Sequence, residues 1–233
     1  MYKLLYIDED IEQIENFQNY IDDTNTNNIF DVITQLPFGE LEEMIEKIIN
    51  INPDVIVCDF LLNENIGALG YNVPYNGVEL VEEFLTIRHK FPCFVLTAKD
   101  QDAVSDSEDV NLVYTKSLMT TEIEDTKAKV KFTDRLVKQI EHYRARIKAS
   151  QEELTQLLEL RKNGNVDFEV ERRIIELDDI LEKSIDATHS IPSEFKTFSN
   201  TQRLDSILGK VDELLKKLDE DGIDTLSSET IEI

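Results

Sequence analysis

The chain has 233 residues, of which 49 are acidic and 24 basic, so its formal net charge at pH 7 is −25. A surface this acidic argues against binding to nucleic acids or anionic membranes, because both require basic residues. No apolar run is long enough for a membrane helix, and no signal-peptide core begins the chain. The two cysteines, Cys58 and Cys93, lie in apolar runs, so we expect a cytoplasmic protein without disulfides.

The first half of the chain alternates between short apolar runs and amphipathic segments. Apolar runs predict five strands, at residues 3–7, 29–36, 55–58, 93–96 and 111–114. Amphipathic spacing predicts three helices between them, over residues 8–20, 40–50 and 78–89. Strands that alternate with helices form parallel sheets. This half is therefore predicted to be an α/β domain with a five-stranded, parallel, doubly wound sheet of the flavodoxin-like kind.

Polar side chains follow four of these strands at the point where each strand ends. Asp8 and Glu9 follow the first strand, Asp59 the third, Thr97 the fourth and Lys116 the fifth. Ligand sites in open α/β sheets lie at the carboxyl ends of the strands, where these groups are expected to meet. The carboxylates would repel each other unless a divalent cation binds, and Mg²⁺ prefers such oxygen ligands. A lysine and a hydroxyl beside them would face a phosphoryl group carried on Asp59.

This set of residues resembles the receiver domains of two-component response regulators, and the resemblance covers residues 1–118. It implies that Asp59 is the phosphoacceptor. It also implies that Asp8 and Glu9 bind Mg²⁺ together with Asp59 and the backbone carbonyl of Leu61. The phosphoryl donor that the family implies is a histidine kinase or a phosphotransfer protein.

The same resemblance assigns a conformational switch. It implies that Thr97 is the switch hydroxyl and that Lys116 is the lysine that contacts the phosphoryl group. Two positions depart from the family pattern: Ser117 follows the lysine in place of proline, and Val113 occupies the place of the switch aromatic. The nearest aromatic residue, Tyr114, lies one residue later. In a strand, this shift places its side chain on the opposite face of the sheet. These departures favour somewhat an alternative, a receiver-like scaffold or assembly protein that works without phosphorylation.

Two other interpretations of the strand-end residues stay open. A flavodoxin-like domain without a nucleotide would carry such polar residues incidentally. A phosphatase of the haloacid-dehalogenase kind also uses a strand-end aspartate, but it requires a second aspartate two residues later, where this chain has Leu61. The helical half carries no recognisable catalytic constellation, so we expect a protein that is not an enzyme.

Two segments near the predicted site differ from the family in length or in composition. Residues 63–73 form an insertion ahead of the turn at residues 74–77. We interpret it either as a lid or partner contact, or as an accommodated surface loop. Residues 98–110 are acidic and almost without apolar positions, so they are predicted to form at most a short helical turn.

The second half of the chain is predicted to be helical. Residues 120–162 contain neither proline nor glycine and carry apolar residues at spacings of three and four. Asn163 and Gly164 stop this helix. Two further helices are predicted, over residues 168–187 and 200–218. The turn between the first two helices predicts that they fold back on each other.

The predicted organisation is a receiver domain at residues 1–118, a helical or coiled-coil output and dimerisation region at 119–218, and an acidic, frayed tail at 219–233. A homodimer through the long helix is predicted, because its apolar stripe exceeds what two shorter helices can cover. A closed three-helix bundle in a monomer is the alternative. Residues 127–148 carry eight basic and two acidic side chains, which indicate either a solvated helix face or a docking site for an acidic partner.

The sequence therefore predicts a response regulator in phosphorelay signal transduction, with Mg²⁺-dependent phosphorylation at Asp59. Its output is expected through contacts between the helical region and a downstream protein whose identity the residues do not indicate. DNA binding is not expected, because no base-reading motif follows the receiver and the chain is strongly acidic.

Overall fold

The computed structural model describes residues 1–24, 28–63, 69–98, 112–119, 131–164, 167–192, 196 and 201–223. The chain divides into two compact units: the first unit is Met1–Phe84 with Pro92–Ile140, and the second is Leu85–Phe91 with Glu141–Ile233. The predicted turn within residues 98–110, the start of the predicted long helix and most of the acidic tail fall outside the described residues.

The first unit contains the five strands and the three helices that the sequence pattern predicts, except for the last three residues of the third helix, which belong to the second unit. The strands are β1 Tyr2–Ile7, β2 Phe30–Gln35, β3 Val55–Asp59, β4 Cys93–Thr97 and β5 Val113–Thr115. The helices between them are α1 Ile11–Thr24, α2 Leu41–Ile51 and α3 Gly77–Ile87. A short 3-10 turn, Lys116–Met119, follows β5.

All five strands are parallel and lie in the order β2-β1-β3-β4-β5, which is the flavodoxin-like arrangement. The register aligns their carboxyl ends: Ile7 is opposite Cys58, and Thr97 is opposite Thr115. The next residues along β1, β3 and β5 are Asp8, Asp59 and Lys116. The fold therefore brings these groups to one edge, at the point where the strand order reverses between β1 and β3.

One face of the sheet is covered by α1 and by the beginning of a long helix, α4 Phe132–Lys162. A single buried cluster joins residues of the sheet, α1 and the start of α4: Leu4, Tyr6, Val55, Val57, Phe94, Leu96, Phe17, Tyr20, Ile21, Phe30, Phe132, Leu136 and Ile140. The domain limit predicted at residue 118 is not itself tested. These contacts nevertheless add residues 132–140 to the core of the sheet.

The other face of the sheet is also buried, as expected for a doubly wound fold. The alternate strand residues Leu5, Ile7, Ile56 and Cys58 are each at most 1% exposed. Helices α2 and α3 contribute buried apolar residues of their own: Met44, Ile45, Ile48, Val78, Leu80, Val81 and Phe84. Both cysteines are buried free thiols, in agreement with the prediction that they do not pair.

The second unit contains the rest of α4, together with α5 Phe168–Asp186 and α6 Thr201–Ile223. Helices α4 and α5 form the predicted antiparallel hairpin. Arg161 pairs with Glu171 at 3.2 Å, and Arg173 pairs with Glu153 at 2.7 Å. Gly164 makes the turn possible, because its φ of +78° is a conformation that favours glycine.

Within the second unit, the apolar stripe of α4 is covered by the same chain. Ten apolar residues from the three helices are buried: Tyr143, Ile147, Leu154, Leu158, Ile174, Leu177, Leu181, Leu204, Ile207 and Val211. The stripe that led us to expect a homodimer is thus already buried along residues 132–158, and the dimer stays a prediction with less to support it. Across the described part of the chain, no helix combines the length and apolarity needed to cross a membrane.

Candidate functional site

A cavity of about 180 Å³ lies at the carboxyl edge of the sheet. The six residues predicted to form the site all line this cavity: Asp8, Glu9, Asp59, Leu61, Thr97 and Lys116. Asp10, Gln13, Phe60 and Ala98 complete its walls. The fold therefore brings together residues that are up to 108 positions apart in the chain.

The start of α3 packs directly against the end of β3 and fixes the backbone at Asp59. The amide of Gly77 donates a hydrogen bond of 2.8 Å to the carbonyl of Phe60. A Cβ on residue 77 would lie 2.0 Å from the carbonyl oxygen of Asp59, so only glycine allows this approach. Asn76 and Glu79 form a reciprocal capping box, with hydrogen bonds of 2.8 and 2.9 Å between each amide and the other side chain.

Both carboxylate oxygens of Asp59 accept a hydrogen bond. The ammonium of Lys116 lies 2.7 Å from Oδ1, and the amide of Leu61 donates to Oδ2 at 3.1 Å. Lys116 also lies 3.3 Å from Oδ2 of Asp8, so it bridges the two aspartates. This arrangement presents Asp59, which is 7% exposed, to the cavity with a cation beside it.

Asp8 accepts hydrogen bonds from two groups outside the predicted set of site residues. The hydroxyl of Tyr6 donates to Oδ2 at 2.6 Å, and the amide of Asp10 donates to Oδ1 at 2.9 Å. The Tyr6 ring stacks on Phe17 with 3.9 Å between centroids. A signal for Tyr6 was present in the sequence: it lies two residues before Asp8 on a strand, hence on the same side, and a buried tyrosine hydroxyl needs an acceptor.

Glu9 completes a group of three acids that could hold a metal ion. One oxygen each from Asp8, Glu9 and Asp59 lies within 4.8 Å of the others. Oε2 of Glu9 is buried and has no hydrogen-bond partner among the described residues. A buried carboxylate oxygen without a donor is costly, and a cation would satisfy it. The donor set therefore fits a hard divalent cation.

The crowding of these groups changes their proton affinities. Burial, with the nearby charges of Asp8 and Asp59, raises the pKa of Glu9 to about 7. Burial and the charge of Asp8 raise the pKa of Asp59 to about 6, although Lys116 works in the opposite direction. Burial lowers the pKa of Lys116, but the charges of Asp59 and Asp8 more than offset it, and the net change is upward. Glu9 and Asp59 are thus closer to protonation at neutral pH than ordinary carboxylic acids are.

The two groups considered for a conformational switch have different surroundings. Thr97 ends β4, is 1% exposed and lines the cavity. Tyr114 packs against Phe94 and Phe132, with ring centroids 5.2 and 6.1 Å away, on the face of the sheet that α1 and α4 cover. The aromatic ring therefore belongs to the core, as its displacement by one residue predicted.

The described end of the predicted insertion is attached to the loop that follows β2. The hydroxyl of Tyr71 donates to the carbonyl of Pro37 at 2.6 Å, and that of Tyr75 donates to the carbonyl of Phe38 at 2.7 Å. Val73 between them is fully buried. Residues 64–68 lie outside the described residues, so whether the segment acts as a lid or a partner contact stays a prediction.

No family model matches the chain, and a search of curated proteins finds no match either. A comparison with solved structures finds the crystal structure of the anti-anti-sigma factor PhyR from Bartonella quintana, at a TM-score of 0.42 and 12% sequence identity. The match covers 64% of this chain and 50% of that one, so it spans half the length of that protein. A likeness at this level indicates nothing about function. The assignment of the fold rests on strand order and direction.

Proposed function

We propose that this chain is a response regulator whose first unit accepts a phosphoryl group on Asp59 in the presence of Mg²⁺. The observation that supports this most is the meeting of three acids and a lysine at one sheet edge. Oxygens of Asp8, Glu9 and Asp59 lie within 4.8 Å of one another, and the Lys116 ammonium lies 2.7 Å from Asp59. An acceptor carboxylate beside a fixed cation is what phosphoryl transfer to aspartate requires.

The residues that would hold Mg²⁺ are Asp8, Glu9 and Asp59, together with the backbone carbonyl of Leu61. When bound, the ion supplies positive charge that offsets the carboxylates and the phosphoryl oxygens. The buried oxygen of Glu9, which has no hydrogen-bond partner among the described residues, supports this assignment.

In the transfer step, a carboxylate oxygen of Asp59 forms a bond to phosphorus while the donor's bond to phosphorus breaks. The departing group keeps the electron pair of the broken bond. Lys116, which pairs with the Asp59 carboxylate, then turns its ammonium to a phosphoryl oxygen, with which it forms a charge-assisted hydrogen bond. The Thr97 hydroxyl is the group proposed to respond to the phosphoryl group, since it lines the same cavity.

The test is labelling of the full chain with radiolabelled acetyl phosphate. We expect acid-labile label with Mg²⁺, none with EDTA, and none in Asp59→Asn. Asp31→Asn, which removes an exposed carboxylate from β2, is the matched control and should take up label like the wild type. Label that persists in Asp59→Asn would overturn the assignment. A wild-type chain that takes no label would favour the alternative, a scaffold that works without phosphorylation.

The proposed partners follow from this chemistry. The donor is a histidine kinase or a phosphotransfer protein, and the output is a protein contact made through the helical unit. The net charge of −25 supports a protein target over nucleic acid. Co-purification of Asp59-phosphorylated and unphosphorylated chain from the native cell would identify a partner that distinguishes the two forms.

A homodimer remains part of the proposal. The surface that now supports it is smaller than the one expected from the sequence: in the helical unit, Phe168 is 77% and Leu160 44% exposed near the turn between α4 and α5. Light scattering of the full chain at tens of micromolar tests it. A monomeric mass there would exclude the dimer, and the helical unit would then be a bundle within a monomer.

A further inference from the structure

The second unit contains a cavity of its own, of about 230 Å³. Its walls come from the segment after α3, from α4 and from α5, and the residues that matter here are His89, Lys90, Arg146, Asp179, Lys183 and Ser184. A cavity needs roughly 15 Å³ to hold one water, so this one has room for a small ligand. No part of the proposed function uses it.

Hydrogen bonds to backbone carbonyls build this cavity. The amide of His89 donates to the carbonyl of Lys183 at 3.0 Å, and the Arg146 guanidinium donates to the carbonyl of His89 at 3.1 Å. The hydroxyl of Tyr143 donates to the carbonyl of Ser184 at 3.0 Å. The walls are thus fixed to one another before any ligand binds, which lowers the entropic cost of binding.

Arg146 is the residue in this cavity that indicates a ligand. Its guanidinium lies 5.5 Å from the centre of the Tyr143 ring, and burial lowers its pKa. Its Nε is buried without a hydrogen-bond partner, and no ion pair joins it to a carboxylate among the described residues. In a chain with 49 acidic and 24 basic residues, a half-buried arginine without an acid is unexpected. A buried donor left unpaired costs about 1–3 kcal/mol, which an oxyanion could recover.

The charges around the cavity are those of an anion site. Lys90, Arg146 and Lys183 line it, against the single carboxylate of Asp179. Asp179 is already engaged by Lys183 at 2.7 Å and by Lys196 at 3.3 Å. Three cations against one carboxylate leave a charge of +2, which matches the roughly −1.5 to −2 of a phosphate monoester near pH 7.

The backbone of Lys90 adopts a left-handed conformation that is uncommon for lysine. Its φ is +59°, whereas the other non-glycine residues with positive φ in the described chain are both asparagines. Asparagine tolerates this conformation better than lysine does. Residues held in such conformations gather at binding sites, and here the conformation lies at the cavity wall.

We propose that this cavity binds the phosphate group of a small phosphate monoester or of free phosphate. Arg146 would donate through Nε and a terminal nitrogen, the bidentate geometry that guanidinium offers to oxyanions. Lys90 and Lys183 would contribute charge from the rim. The inference is independent of phosphorylation at Asp59, because the two sites share no residue.

The test is to titrate the full-length wild-type chain separately with O-phosphoserine, inorganic phosphate and serine. Isothermal calorimetry at constant ionic strength measures the binding. EDTA is present throughout, so that no metal draws phosphate to the Asp59 site. We expect saturable binding of both phosphates and none of serine. Phosphoserine binding more tightly than phosphate would support a monoester as the ligand, and equal affinities would support phosphate itself.

Variants decide whether the binding belongs to this cavity. Arg146→Gln should weaken it by about tenfold or more, since charge-assisted hydrogen bonds are lost. Lys148→Gln, an exposed lysine on the same helix, removes the same charge outside the cavity and should change the affinity less than about twofold. Lys90→Gln, at an exposed residue of the cavity wall, should also weaken binding, and it keeps the test valid if Arg146→Gln unfolds.

Either of two results would overturn the proposal. One is the absence of saturable phosphate binding by the wild type up to tens of millimolar. The other is wild-type affinity in both Arg146→Gln and Lys90→Gln, with circular dichroism that confirms their folding.

Discussion

The carboxylate of Asp8 receives hydrogen bonds from three parts of the first unit. Tyr6 lies two residues earlier on β1, Asp10 lies two residues later, and Lys116 comes from the end of β5. Loss of a residue that orients a metal ligand typically lowers metal affinity by about 10–100-fold. The Tyr6 hydroxyl is the only one of these three groups that a point mutation can remove without altering charge or backbone.

We predict that Tyr6→Phe weakens Mg²⁺ binding about tenfold, because Asp8 loses the donor that holds Oδ2. The ring and its stacking on Phe17 are retained, so the free energy of unfolding should fall by only about 1 kcal/mol. Isothermal calorimetry with Mg²⁺ and urea unfolding measure the two quantities. Tyr143→Phe is the matched control: it loses an equivalent buried hydroxyl bond, to Ser184 in the second unit, and should cost similar stability without changing Mg²⁺ affinity. Equal Mg²⁺ affinity in Tyr6→Phe and wild type would contradict the prediction.

Glu9 makes the stability of the metal-free protein depend on pH. Its pKa is about 7 in the folded chain against 4.5 ordinarily, so between these values the folded chain binds more proton than the unfolded chain. The free energy of unfolding therefore falls as pH rises from about 4.5 to about 7, and Asp59, with a pKa of about 6, adds to the fall.

Glu9→Gln should remove the contribution of Glu9. In EDTA at pH 8 we expect the variant to be more stable than the wild type, by on the order of 2 kcal/mol, and at pH 4 the difference should vanish. Urea unfolding at the two pH values measures this. Glu12→Gln, an exposed glutamate in the first turn of α1, is the control and should change stability little at either pH. A Glu9→Gln variant less stable than wild type at pH 8 would show that the carboxylate stabilises the metal-free site.

The affinity for Mg²⁺ should also depend on the ionisation of Glu9. It should rise with pH, whereas the free energy of unfolding of the metal-free protein falls. Because Mg²⁺ needs ionised carboxylates, its affinity for the wild type should rise as pH increases from about 6 to about 8 and then level off. Calorimetric titrations across this range test it. An affinity that does not change with pH would mean that the pKa of Glu9 is not near 7 and that the pKa of Asp59 is not near 6.

At the scale of elements, the position of α3 depends on a single residue, Gly77. It begins at Gly77, where the helix touches the backbone of Asp59. The sequence pattern indicated a turn at residues 74–77, and glycine suits a turn. What it could not indicate was the close approach to β3, because such an approach depends on which strand the helix packs against.

Gly77→Ala should destabilise the protein by about 3 kcal/mol, since the new methyl group would meet the Asp59 carbonyl oxygen at 2.0 Å and neither backbone can move freely. It should also lower phosphorylation at Asp59. Gly209→Ala is the matched control, because a Cβ there meets nothing within 4 Å on α6. That change should be neutral or stabilise by up to about 1 kcal/mol. Urea unfolding of both variants measures the contrast, and similar values for the two would contradict the prediction.

The sequence predicted the secondary-structure elements better than it predicted which elements pack against each other. Five strands, their parallel order and the residues at their ends follow from burial and from the alternation of strand and helix. The apolar stripe of α4 was also predicted, with the two shorter helices expected to cover part of it and a second copy of the chain expected to cover the rest. In the structure, Leu136 and Ile140 join the core of the sheet, whereas Tyr143 and Leu154 are buried in the helical unit. Periodicity identifies which face of a helix is buried and is silent on what covers it.

At the scale of the whole molecule, α4 belongs to both compact units. Its residues 132–140 lie in the first unit and 141–162 in the second. A division at residue 118, as the family resemblance suggested, would remove the apolar residues Phe132, Leu136 and Ile140 from the sheet, and each of these is at most 1% exposed.

A fragment of residues 1–140 should therefore fold, and a fragment of residues 1–119 should not fold stably. Loss of a large buried apolar side chain costs about 2–5 kcal/mol, and three such losses approach the whole stability of a domain. Urea unfolding followed by circular dichroism, with binding of a hydrophobic dye, compares the two fragments. Cooperative unfolding of the shorter fragment at the same urea concentration as the longer one would refute the prediction, and the full chain provides the reference.

Helix α4 also determines when the core of the sheet can be completed during synthesis of the chain. Strand β4 ends at Thr97, but the helix residues that close one face of the sheet follow only at 132–140. At roughly 5–20 residues per second, a ribosome would need several seconds to deliver them. During that interval Phe94, which packs against Phe132 in the complete fold, presents an apolar surface to water or to other nascent chains. A factor that slows elongation between residues 97 and 140 should lower the soluble yield, and a chaperone that shields apolar strands should restore it.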